Sequence, residues 1–137
     1  MINRNQIGEG TLTEEQEIYR ENILDHYKHP HNMGMLNMHT HHRRELNPLC
    51  GDELEVFLQV DEEHIREVKF QGKGCAISQA SMSMLTDTLK NKNLKDTMAL
   101  TKEDIVNMLG IPIGVVRMKC ALLGLKAVHN SLNGAKK

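Results

Sequence analysis

Three cysteines and a nearby aspartate, Cys50, Cys75, Cys120 and Asp52, are the residues of this 137-residue chain best suited to bind a soft metal or carry sulfur. Each cysteine falls at an expected junction. Cys50 precedes an alternating run, Cys75 sits in the glycine-punctuated "GKGCA", and Cys120 lies in the early turns of a final helical stretch. Thiolates are the nucleophiles and metal ligands of sulfur chemistry, and the positive end of a helix dipole favours them. Cys75, and more weakly Cys120, are therefore expected to ionise readily. Gly51, Gly72 and Gly74 remove side chains beside two of the sulfurs and leave room for a metal, a cluster or a partner's thiol.

The wide separations match no CxxC-like zinc knuckle, so a shared site must be assembled by the fold. Three sulfurs and the Asp52 oxygen would suit tetrahedral zinc or one face of an iron-sulfur cluster. A hard carboxylate is a poorer partner for sulfide-bridged iron than a thiolate, so such a site should hold its cargo less tightly. From the residues alone the alternative stays open: free cysteines also serve as small buried hydrophobes, and Gly-Asp pairs make turns.

The elements that must position these residues are legible in part. Thr13 and Gln16 form a capping-box pattern that starts a helix over about 14–28, with Ile18, Tyr19, Asn22, Ile23, His26 and Tyr27 on one face, ended at His29-Pro30. Residues 29–46, with five histidines (His29, His31, His39, His41, His42), predict a loop leading into a strand. The histidines of 26–42 offer either extra metal ligands or simply a polar loop. "ELEVFLQV" alternates Leu54, Val56, Leu58 and Val60 against Glu53, Glu55, Phe57 and Gln59. "IREVKFQG", past a polar turn, adds a second strand with Val68 and Phe70 inward, making an antiparallel hairpin. A helix from Ala76 to about Asn91, a short helix "KEDIVNML" capped by Thr101 and ended by Gly110, and a last helix over about 115–132 follow. That last helix carries Val116, Cys120, Leu123 and Ala127 on one stripe, with Gly134 past its end.

Composition narrows the function classes. Seventeen basic against eighteen acidic side chains provide no general attraction for nucleic acid or an anionic membrane. No apolar run approaches the length of a membrane span, and the opening residues carry no signal-peptide core, so a cytoplasmic protein is expected. An odd number of cysteines in a reducing compartment favours thiol or metal chemistry over disulfides. Nine methionines and no tryptophan predict a soft, aliphatic core. The expected organisation is an arm over 1–12, one domain over 13–133 and a tail over 134–137. Residues 111–137 contain Arg117, Lys119, Lys126, Lys136 and Lys137 and no acid, which reads as a docking face for an acidic partner or as a solvated helix face and tail.

"NPLCGD", "GKGCAISQASMSM" and "RMKCALLGLKA", in this order and preceded by "YRENILDHYKHPHNMG", resemble the IscU/NifU/SufU family of iron-sulfur cluster assembly scaffolds from about residue 18 to about 132. The resemblance implies an α+β fold, a small antiparallel sheet with helices packed on one face, and the cysteines gathered at one exposed end. It implies that Cys50, Cys75 and Cys120 are the ligands of a [2Fe-2S] cluster, iron or zinc and the candidate persulfide acceptors, with Asp52 the labile fourth donor. The implied partners are a cysteine desulfurase and apo iron-sulfur acceptor proteins, with self-association through a shared cluster also open. A zinc-dependent sulfurtransferase of the SufU kind is the alternative function. Many members carry His immediately before the third cysteine, where Lys119 stands here, and Arg117 and Lys119 resemble the SufU branch. "IPIGVV" replaces the chaperone-recognition segment of the IscU branch. Lys119 is read either as a cation that lowers the thiol pKa or pairs with Asp52, or as a solvated helix lysine.

Overall fold

The structure, a computed structural model, describes residues 12–134; the arm expected over 1–12 and the tail expected over 134–137 lie almost wholly outside the described residues. The first helix, α1 (Glu14–Lys28), starts as its capping box predicts: the Gln16 N–H donates to Thr13 Oγ1 at 3.1 Å, and the Thr13 N–H donates to Gln16 Oε1 at 3.0 Å. Its buried face is narrower than the periodicity predicts. Ile23 and His26 are buried while Ile18 is 71% exposed and Tyr27 43%, because the helix lies at the surface of the domain and turns only a thin stripe inward.

Three antiparallel strands follow in the order β1 (His41–Asn47), β2 (Asp52–Asp61), β3 (His64–Lys73). The expected β2–β3 hairpin is present, and its turn residues Glu62 and Glu63 both take positive φ, as a tight primed turn demands. The loop reading of 29–46 needs correction, since β1 occupies its last third. That strand escapes pattern reading because its inward positions, paired with Leu58, Val56, Leu54 and Asp52, are the polar His41, Arg43, Glu45 and Asn47. The alternation in β2 also has an exception. Phe57 is 3% exposed although it points away from Leu54, Val56 and Leu58, because the rings of His39 and His42 cover it with centroids 5.4 and 5.0 Å away, whereas Val60 is only half-buried.

Among the described residues four more helices follow: α2 (Ala76–Leu89), α3 (Leu94–Met98), α4 (Lys102–Leu109) and α5 (Val115–Gly134). Helix α5 lies across β1 and β2, α2 lies against β3 and α5, and α1 covers α2 from the far side. The fold is thus α+β with the helices on one face of the sheet. Helix α2 is its axis, buried continuously from Ala76 to Thr86, and its Ala and Ser residues admit neighbours closely. It stops at Leu89, short of the expected Asn91, which has a φ of 65°. In α5, Cys120, Leu123 and Ala127 are buried as the stripe predicts. Val116 is 70% exposed, because the first turn overhangs the core, and Gly134 is itself helical rather than a residue past the helix end.

Gly110 ends α4 in the left-handed region at φ 74°, and the ring of Tyr19 packs where a Cβ would stand. Gly51 has nearly the same φ, 72°, with nothing near its missing Cβ. Gly110→Ala should therefore lose the conformational cost of about 1–2 kcal/mol that both sites share plus a steric cost that Gly51→Ala lacks. Urea titration of the two variants checks this, and equal midpoints would show that the Tyr19 contact carries no weight.

Candidate metal centre

The turn between β1 and β2 carries Cys50, and Asp52 opens β2 directly opposite Asn47. The end of β3 passes through Gly74 to Cys75, the N-cap residue of α2, while α5 supplies Cys120 from behind. The ligating atoms of Cys50, Asp52 and Cys120 all lie within 4.8 Å of one another. The Cys75 sulfur stands outside that mutually close set. Its residue is nevertheless tied to the same spot, because the Cys75 N–H donates to Asp52 Oδ1 at 2.8 Å and its thiol acts on Cys120. All four residues singled out in the sequence thus converge, from four different segments.

Asp52 is 1% exposed, and its second oxygen, Oδ2, is buried with no hydrogen-bond partner. Leaving such an atom unsatisfied costs about 1–3 kcal/mol or more for a charged group, and a cation among the thiols would remove that cost. The donor chemistry fits the same conclusion: sulfur ligands suit zinc or iron, and one oxygen completes a set of four. Gly74, at φ 142°, is what allows the carboxylate in, since a Cβ there would collide with it.

The expectation that Cys120 ionises readily is overturned. The thiol is fully buried, and burial first, then the closeness of Asp52, Cys50 and Cys75, push its pKa well above the ordinary value of 9.0. Cys120 also lies past the first turn of α5, beyond the reach of the helix's positive end. Cys50 and Cys75 are half-buried, so a partner's thiol has access to them but not to Cys120.

The position of α5 depends on residues that no motif reading flagged. Glu45, 8% exposed on β1, accepts hydrogen bonds from Arg43 Nε at 2.8 Å and Asn130 Nδ2 at 2.7 Å, with Lys126 Nζ at 3.9 Å. Burial alone would raise its pKa, but the Asn130 and Arg43 hydrogen bonds and the charges of Arg43 and Lys126 prevail and hold it below the ordinary carboxylate range. One step nearer the thiols, Asn47 Nδ2 lies 3.8 Å from Cys120 Sγ as its donor. Only the pairing of β1 to β2 reveals that these polar side chains point inward.

Lys119 is exposed, and among the described residues no ion pair joins it to Asp52 or joins Arg117 to an acid. Lys119 and Lys126 instead flank a groove of about 440 Å³ floored by Leu46, Pro48, Leu49 and Leu122, beside the cysteine site.

Over residues 18–136 the sequence matches the family described as the NifU-like N terminal domain. The chain belongs to that family. It is 33% identical over 132 residues to the zinc-dependent sulfurtransferase SufU of Bacillus subtilis, spanning 84% of this chain and 89% of that one. It is 34% identical over 113 residues to the iron-sulfur cluster assembly scaffold protein IscU of Aquifex aeolicus, spanning 81% and 71%. The crystal structure of a candidate SUF-system scaffold from Fervidobacterium islandicum superposes with a TM-score of 0.73 at 28% identity, covering 85% of this chain and 98% of that one. No helix among the described residues is long and apolar enough to cross a membrane.

The buried thiol makes a prediction about the metal-free protein. Because the folded pKa of Cys120 is raised, its stabilisation is complete below pH 9 and declines as pH rises beyond the unfolded value, where the unfolded chain releases the proton first. Denaturation of metal-free protein should show an alkaline loss of stability that Cys120→Ala removes, and a thiol reagent should modify Cys50 and Cys75 well before Cys120. Uniform modification rates, or an alkaline loss unchanged in the variant, would contradict the assignment.

Proposed function

We propose that this chain is an iron-sulfur cluster assembly scaffold that accepts sulfur from a cysteine desulfurase, binds iron, builds a [2Fe-2S] cluster and passes it to apo-proteins. The convergence of Cys50, Asp52 and Cys120 donors within 4.8 Å, with Asp52 Oδ2 buried and unpartnered, is the observation that carries this reading. Cys75, on the rim of the same site, completes the ligand set. The work falls to a single domain over 13–133, in the reducing cytoplasm where free thiols persist.

Sulfur arrives at an accessible thiol. The thiolate of Cys50 or Cys75, both half-exposed, attacks the outer sulfur of the desulfurase's persulfide, the S–S bond breaks, and the desulfurase cysteine leaves as thiolate. Iron is then held by the thiolates and Asp52 while an external donor supplies the electrons that reduce the sulfur to sulfide. Asp52, the hard donor in a soft set, is the ligand an acceptor's thiolate displaces first. The groove between Lys119 and Lys126, with Leu46 and Leu49 exposed beside the site, is a suitable face for the desulfurase to cover.

A zinc-dependent sulfurtransferase is the second reading, favoured by the three-sulfur, one-oxygen donor set and by the likeness to the Bacillus protein of that name. In it Cys50, Asp52, Cys75 and Cys120 would hold zinc, which when bound keeps thiols ionised at neutral pH. Sulfur acceptance by a half-exposed cysteine is common to both readings.

Anaerobic reconstitution with iron and sulfide separates them. A visible chromophore with acid-labile sulfide is expected, and Asp52→Cys should slow its transfer to an apo-ferredoxin by about tenfold or more. A protein that stays colourless, keeps one tight zinc and strongly stimulates a desulfurase would establish the second reading instead. Equal transfer rates for wild type and variant would remove Asp52 from its releasing role.

A further inference from the structure

A second set of metal-ligating side chains lies at the other end of α2 from the cysteines. The donor atoms of His26, His31 and Asp87 all lie within 4.8 Å of one another. They come from three segments: the last turn of α1, the loop after it, and the last turn of α2. From Cys75 to Asp87 the axial rise along α2 is about 18 Å at 1.5 Å per residue, so the two sites share no ligand and no neighbour. We propose that His26, His31 and Asp87 form a second binding site for a borderline divalent metal ion of the zinc or ferrous type, independent of the cysteine centre.

The arrangement is held in place before any ion arrives. Ser83 Oγ lies 2.7 Å from His26 Nδ1 and accepts the His31 backbone N–H at 2.7 Å, so one buried hydroxyl orients both histidines. In the tautomer whose Nδ1–H donates to Ser83, His26 has its Nε2 lone pair available for a metal, the usual arrangement for a ligating imidazole. Asp87 Oδ2 meets His31 Nδ1 at 2.6 Å, and Asp87 Oδ1 accepts from Asn32 Nδ2 at 3.0 Å. Asn32 in turn is fixed to the sheet, its carbonyl accepting the Phe70 N–H at 3.0 Å. Two imidazoles and a carboxylate are a recurrent facial set for zinc or ferrous iron, leaving positions for water on the exposed side. Ligands around such an ion stand about 3–3.5 Å apart at bond lengths of about 2.0–2.2 Å, so small side-chain movements close the set.

Electrostatics favour a cation here for a reason separate from the ligands. Two helices, α1 and α2, direct their C-terminal, partially negative ends at the same point. Burial of His26 among these elements also disfavours the charged form of its ring and lowers its pKa, against the opposing pull of Asp87 and Asp25.

The test uses full-length protein already carrying one equivalent of zinc. Titration calorimetry with further zinc should show a second equivalent, His26 and His31 ring resonances should shift with it, and the added metal should raise the melting temperature. His31→Gln and Asp87→Asn, both at exposed positions, should each weaken that second equivalent by about tenfold or more and leave the first unchanged. His39→Gln serves as the control, since the His39 and His42 rings, 5.6 Å apart, are the rival pair. No second equivalent at millimolar zinc, or one lost in His39→Gln and retained in His31→Gln and Asp87→Asn, would overturn the proposal.

Discussion

The placement of the Asp52 carboxylate is the constraint on which the cysteine site depends. One oxygen accepts the Cys75 N–H at 2.8 Å and so joins the first residue of β2 to the N-terminus of α2; the other is buried without a partner. The positive end of a fourteen-residue helix stabilises a carboxylate at that position, which offsets part of the cost of burying it. Because the helix satisfies only one side, the carboxylate reaches the thiols with bonding capacity left over. Helix α2 thus does two opposite things for the site: it holds Asp52 in an apolar interior, and it leaves that residue's coordination unfinished.

Cys120 needs a different kind of support, since α5 must be locked against the sheet for its sulfur to meet Cys50 and Asp52. Apolar burial by Ala121, Leu123, Ala127 and Val128 supplies adhesion, but such contacts are non-directional. Register comes from polar contacts: Glu45 is gripped by Asn130 and Arg43, and Asn47 lies beside the Cys120 sulfur. A buried, hydrogen-bonded carboxylate tolerates little displacement of its partners, so the cost of burying Glu45 is offset by a fixed position for α5. The core elsewhere is filled by aliphatics, Met82, Met84 and small residues of α2, which can adjust without losing contact.

The same division explains what the sequence revealed. Helix α1 was legible from a capping box, β2 and β3 from their alternation, and α4 from Thr101 and Gly110, because in each case local chemistry and burial agree. Strand β1 was not, because its inward face is His41, Arg43, Glu45 and Asn47, a pattern that pairing to β2 makes sense of and periodicity cannot. Helix α3, with five residues, is too short for any period. At the site, the convergence of Cys50, Asp52, Cys75 and Cys120 could be anticipated from the cysteine-centred motifs, but the protonation of Cys120 could not. Proximity to a helix start argues for an ionised thiol, whereas the buried position of Cys120, set by tertiary packing, argues for a neutral one and prevails.

That outcome bears on how the site fills. A neutral, fully buried Cys120 must give up its proton before it can ligate, so loading the site couples metal binding to proton release. Cys50 and Cys75, half-exposed, face no such barrier to contact. On the proposed reading an ion or sulfur would engage the outer thiols first and reach Cys120 last, once the charge it brings had offset the cost of ionising a thiol beside Asp52. The inner thiol would then make the most protected bond and the carboxylate the weakest, an order that would let a cargo be held from within and released at its oxygen ligand.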